Sequence, residues 1–253
     1  MIDTIENILA YDFLTNAFVA CILSGITCGV VGSYIVARRM VFLASGITHA
    51  SFGGLGIALY AGFNPLLGAV AFASLSSLGI EYASRRGRMR EDSAIGIIWS
   101  VGMAIGALFM SLRPGYATDL TSYLFGNILL VNRGDVAWLA VLTVVIIIGA
   151  VIWLRRLMYI TFDEEYAQSQ GLPVAVVAYV MAVVIAITIV LSIKVMGIIL
   201  LLSLVTLPVV IANTLTKDYR RIALYASAIA VVGNVAGFIF SYEYDLPTGS
   251  CII

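Results

Sequence analysis

The stretch LTNAFVACILSGITCGVVGSYIV, residues 14–36, contains no charged side chain. At about 1.5 Å of rise per residue, a helix of this length crosses the ~30 Å hydrocarbon core of a bilayer. Lipid offers no water to backbone N–H and C=O groups, so an exposed apolar run is stable there only as a helix that satisfies them internally. Runs of about this length with at most one charged side chain recur at 43–61, 65–84, 93–112, 135–154, 173–193, 196–215 and 222–241. The sequence therefore predicts an all-α polytopic membrane protein with about eight transmembrane helices, forming a single transmembrane domain over residues 1–253.

Composition supports this reading. Of 253 residues, 62% are hydrophobic and 11% charged, against roughly 25% charged in soluble domains. The formal net charge is zero, which gives no reason to expect nucleic-acid binding. Cys21, Cys28 and Cys251 form neither a CxxC pair nor a disulfide framework. Cys21 and Cys28 share a helix face, which admits a soft-metal reading, but small apolar filler is the ordinary role of such residues. The leading segment MIDTIENILAYDF, residues 1–13, is acidic and lacks the basic start of a cleavable signal.

Orientation follows from the basic residues. With the loop after the first span in the cytoplasm, Arg38, Arg39, Arg85, Arg86, Arg88, Arg90, Arg155, Arg156, Lys217, Arg220 and Arg221 fall inside. Arg113, Arg133 and Lys194 fall outside, so 11 of 14 basic residues are internal. Residues 1–13 are then extracytoplasmic and the 155–172 loop is cytoplasmic. The short apolar stretch LTSYLFGNILLV, 120–131, reads as an interfacial or re-entrant half-helix. Near the end, YEYDLPTGSCII, 242–253, turns at Pro247 and Gly249, and a further helix is expected to begin at Cys251.

His49 is the sole histidine. It lies ten residues past Arg39, which places it about 15 Å into the membrane, near the midplane. Ser45, His49 and Gly53 are spaced i, i+4, i+8 and share a face. An ionisable group at that depth points to function. Position alone does not separate a pathway ligand from a histidine that hydrogen-bonds a neighbouring helix. The nearby glycines, Gly53 and Gly56 among them, permit close helix approach and suit either packing or a narrow path. In the loop, Asp163, Glu164 and Glu165 suit the start of a short helix that Gly171 would end before Pro173. Such a helix is something a soluble partner could grip, and an ordinary polar loop is the alternative. Neither lysine completes a G-x-x-x-x-G-K-[ST] loop, and neither HExxH nor G-x-S-x-G occurs, so the chain carries no ATP-binding or common hydrolase motif of its own.

Five stretches, in order, resemble the metal-specific permease family of bacterial ABC importers, which carry zinc, manganese or iron(II). They are RRMVFLASGITHASFGG (38–54), LTSYLFGNIL (120–129), FDEEYAQSQG (162–171), MGIILLLSLVTLPVVIAN (196–213) and DLPTG (245–249). The resemblance implies a type II ABC importer permease in the bacterial plasma (inner) membrane. It implies a homodimer around a central path, a cytoplasmic ATP-binding subunit below and an extracytoplasmic metal-binding protein above. It implies no permanently bound cofactor, with the metal as cargo. Phe162, Asp163, Glu165, Ala167 and Gly171 match the family's ATPase-coupling helix, and His49 matches its metal contact. Family members often carry an aspartate one turn before that histidine. This chain has Ser45 there, a change that weakens a site for hard Mn²⁺ more than one for Zn²⁺. The family also continues past its D-x-P-x-G stretch, so a ninth helix is expected beyond the present C-terminus. The alternatives are a permease for iron-siderophores or vitamin B12, and a stand-alone secondary transporter or channel.

Overall fold

The computed structural model describes residues 11–87, 89–112, 128, 131–244, 246 and 248–252. Its helices are α1 (Asp12–Ala37), α2 (Val41–Ala61), α3 (Pro65–Arg85), α4 (Glu91–Ser111), α5 (Arg133–Phe162), α6 (Glu164–Ser169), α7 (Val174–Met196), α8 (Ile198–Leu215), α9 (Tyr219–Tyr244) and α10 (Thr248–Ile252). No strand occurs among the described residues. Among the described residues seven helices, α1 to α5, α7 and α9, are long and apolar enough to cross a membrane, and α8 adds a shorter apolar run at Leu201–Leu215. Each of the eight expected spans thus coincides with a helix. The half-helix expected at 120–131 lies outside the described residues except for Ile128 and Val131.

One boundary departs from expectation. The fifth span was set to end at residue 154, before Arg155 and Arg156, yet α5 continues to Phe162. Arginine marks a membrane boundary without breaking a helix, being among the better helix formers. Residues 155–162 are therefore helical, and the loop proper begins at Asp163. At the chain's end, α10 begins at Thr248, three residues before the expected start at Cys251.

The chain divides into two compact units. The first contains α1, α5, α8, α9, α10 and the end of α7. Its centre is α1, whose Gly25, Gly29 and Gly32 lie at i, i+4 and i+7 on one face. A Cβ at Gly25 would strike the Val231 backbone, one at Gly29 the Ser227 backbone, and one at Gly32 the Val205 carbonyl. Small residues thus let α8 and α9 meet α1 backbone to backbone. Polar groups seal the contact: the Asn234 side-chain amide donates to the Cys21 carbonyl (2.9 Å) and to Ser24 Oγ (3.3 Å). Cys28 Sγ lies 3.4 Å from Ser192 Oγ. Both cysteines are buried and unpaired in this packing, which is the filler role rather than a metal pair.

The second unit contains α2, α3, α4, α6 and the first part of α7. Asn64 caps α3 by accepting from the Leu66 N–H at 2.9 Å, with Pro65 at the first helical position. Helix α2 is seated between α3 and α4 through another glycine series. Gly54 meets the Gly68 carbonyl of α3, while Gly46, Gly53 and Gly56 meet Ile95, Gly102 and Gly106 of α4.

Gly29→Val should destabilise the protein by about 1–3 kcal/mol, because its side chain must displace α9 backbone. Gly149→Val, at a position where a Cβ meets nothing within 4 Å, is the control. Thermal unfolding in detergent should show a lowered midpoint for the first variant only, and equal midpoints would contradict this packing.

Candidate functional site

Two groups of residues carry the functional expectations, and both lie in the second unit apart from Phe162. The first is on α2. Ser45 and His49 are half-buried, one turn apart, on the side of α2 that faces α4. The His49 imidazole stacks flat on the Trp99 indole of α4, with ring centroids 4.4 Å apart and planes 2° from parallel. Among the described residues, no hydrogen bond reaches either imidazole nitrogen. A histidine serving only to tie helices together would spend a nitrogen on its neighbour. Here the ring is held by its face, and its nitrogens remain available for a ligand. Close helix approach makes the stack possible, since a Cβ at Gly53 would lie 2.8 Å from the Gly102 carbonyl oxygen and one at Gly56 2.7 Å from that of Gly106. These two glycines therefore serve packing against α4.

Among the described residues, no group of three or more His, Cys, Asp or Glu side chains could hold a metal ion. Among the described residues His49 therefore stands outside any such group, with Ser45 one turn away on α2.

The second group is the short helix α6. Asp163, in extended conformation, caps it by accepting from the Tyr166 N–H at 2.8 Å. At its other end Gly171 adopts φ +73°, a left-handed conformation that glycine takes without a Cβ penalty. The Gly171 N–H donates to the Gln168 carbonyl (2.9 Å) and the Leu172 N–H to that of Ala167 (3.1 Å). This is the paired closure of a Schellman motif. Ala167 is buried beneath the helix, whereas Glu165, Tyr166, Gln168 and Ser169 are exposed. Phe162 ends α5 in the first unit, exposed, with its ring edge against Tyr219 at 6.1 Å. The five residues expected to form a coupling helix are therefore divided: Asp163, Glu165, Ala167 and Gly171 build one capped helix, and Phe162 lies beyond its cap. Helix α6 is also tied down by charge. Arg85, in the last turn of α3, donates from Nε to Glu81 and from Nη1 to Glu164 at 2.9 Å.

The model of the ABC 3 transport family matches residues 10–253. The chain belongs to that family. An uncharacterized membrane protein of Synechocystis is 37% identical over all of this chain and 90% of its own length. The manganese transport system membrane protein MntC of Halalkalibacterium halodurans is 34% identical over 98% of this chain and 85% of its own. Among solved structures, PsaBC of Streptococcus pneumoniae in complex with Fab matches with a TM-score of 0.88 and 28% identity, covering all of this chain and 91% of that one. The resemblance drawn from the five stretches is thus confirmed at the level of the family. As a family member the chain is a multi-pass transport subunit of the membrane, not itself an enzyme.

Two features of this permease escaped the sequence. Trp99 lies in an apolar span, where a lone tryptophan carries no sign of its partner. Arg85 and Glu164 are separated by 79 positions, and each reads as an ordinary boundary charge.

Proposed function

We propose that this permease subunit belongs to an ATP-driven importer that moves a divalent transition metal inward, with zinc as the preferred cargo and His49 as its contact in the membrane. The observation that carries the proposal is the His49 imidazole held by ring stacking on Trp99, with no hydrogen bond reaching either nitrogen among the described residues. A neutral imidazole is a borderline nitrogen donor suited to Zn²⁺, Mn²⁺ or Fe²⁺. In a homodimer with α2 lining a shared path, two such nitrogens face each other. Ser45 hydroxyls, backbone carbonyls and water complete a loose shell around the passing ion. Two nitrogens with neutral oxygens suit tetrahedral Zn²⁺ better than Mn²⁺, which favours several hard oxygens. A second reading, manganese, is favoured by relatives that are named manganese transport proteins.

Energy comes from a separate cytoplasmic ATP-binding subunit docked on α6, and an extracytoplasmic metal-binding protein delivers the ion. Helix α6 suits docking because its ends are closed by side-chain and backbone bonds, leaving Glu165, Tyr166 and Gln168 exposed to a partner.

His49→Gln keeps a hydrogen-bonding side chain but offers no imidazole nitrogen. It should lower uptake of radioactive zinc by at least about tenfold, the scale seen even for outer-shell partners of metal ligands. Expression should be unchanged. Wild-type uptake by this variant contradicts the ligand role. His49→Asp should shift preference toward manganese, measured by competition between the two ions.

Glu165→Arg reverses a charge on the exposed face of α6. It should cut uptake about fivefold or more, the scale of typical intersite coupling, while insertion in the membrane is retained. Normal copurification of an ATPase together with normal uptake would contradict the coupling role.

A further inference from the structure

Glu81 is 7% exposed, an unusual burial for a carboxylate. It sits one helical turn before Arg85, the i,i+4 order in which a carboxylate best supports a following cation. The guanidinium has a planar fork of N–H groups pointing in fixed directions. Glu81 occupies the Nε side, which fixes the plane of the fork and leaves Nη1 directed at Glu164 of α6. The side chains of Glu81, Arg85 and Glu164 are 9%, 21% and 34% exposed, so the triad is largely shielded from solvent. A pair so placed is screened less by salt than an exposed one.

The triad joins two elements that otherwise have different tasks. Helix α3, which carries Glu81 and Arg85, is packed backbone to backbone on α2 at Gly68 and Gly54. Helix α2 carries His49, stacked on α4. A continuous series of rigid contacts therefore runs from α6 through Arg85 to α3, on to α2 and to the histidine, all within one compact unit. The hydrogen bonds within α6 and the Asp163 cap shape that helix but do not fasten it to a membrane span. The Arg85–Glu164 bond does.

We infer that Arg85 is a positioning residue that couples α6 to α3, so that displacement of α6 by the ATP-binding subunit is delivered to the helices around His49. The inference rests on the coupling role proposed above for α6. Glu81 aims the guanidinium, and Glu164 receives it. Lysine cannot replace Arg85, because a single ammonium lacks the rigid fork that serves both carboxylates.

The test uses the whole transporter, purified with the ATP-binding subunit that accompanies the wild-type permease and returned to lipid vesicles. Zinc transported per ATP hydrolysed is the main readout, with ATPase association and the unfolding midpoint measured alongside. Glu164→Gln removes the charge on α6 and leaves the Glu81–Arg85 pair within α3 intact. It should lower zinc moved per ATP about fivefold or more, with association and midpoint unchanged. Arg85→Lys should act in the same direction. If the Gln variant does not insert, Glu164→Asp carries the test, with a partial loss expected. A wild-type transport ratio in Glu164→Gln overturns the inference, as does a loss matched by equal loss of ATPase association. Uncoupling by Glu165→Arg together with normal transport by Glu164→Gln removes the bridge alone. Normal behaviour of Glu165→Arg removes the coupling role and this inference with it.

Discussion

Between helices in lipid, apolar burial is no driving force, because acyl chains are as apolar as leucine. Association rests on van der Waals contact, helped by a few polar bonds, and contact improves when backbones approach closely. This chain meets that constraint twice with glycine. In the first unit Gly25, Gly29 and Gly32 of α1 receive α8 and α9, and in the second Gly46, Gly53, Gly54 and Gly56 of α2 receive α3 and α4. The His49–Trp99 stack depends on the second series. Bulkier residues at 53 and 56 would push α4 outward and separate the rings.

Several buried hydroxyls are satisfied within their own helices. Ser33, Thr48, Thr143 and Thr188 return their hydroxyls to carbonyls one turn back in their own helices, so they add no unpartnered group to the interior. Asn234 instead bonds across to α1 and ties α9 to it. His49 differs from all of these, since its ring is immobilised without occupying its nitrogens. The proposed role of His49 as an ion contact uses that arrangement.

Much of the architecture could be read in the sequence because its causes are local. Runs with almost no charge mark the spans, and Asp163 with Gly171 marks the two ends of α6. The spacing of Ser45, His49 and Gly53 gave the face of α2, but nothing in it named the helix opposite. Trp99 and the Arg85–Glu164 bond are tertiary facts between residues far apart in sequence, and residue type alone does not announce them. The length of α5 differs from expectation for another reason. Arg155 and Arg156 limit only the part that lipid can accept, while the helix itself continues to Phe162. The sequence favours packing over path-lining for the glycines of α2, and their close neighbours on α4 agree with packing.

The proposed transport subunit has two working parts, a half-buried imidazole for the ion and a capped surface helix for the ATP-binding partner. X-ray absorption of zinc bound to the purified transporter addresses the proposed role of the imidazole directly. The account predicts two imidazole nitrogens per zinc in the wild-type protein and none in His49→Ala. A zinc spectrum unchanged by His49→Ala would contradict it.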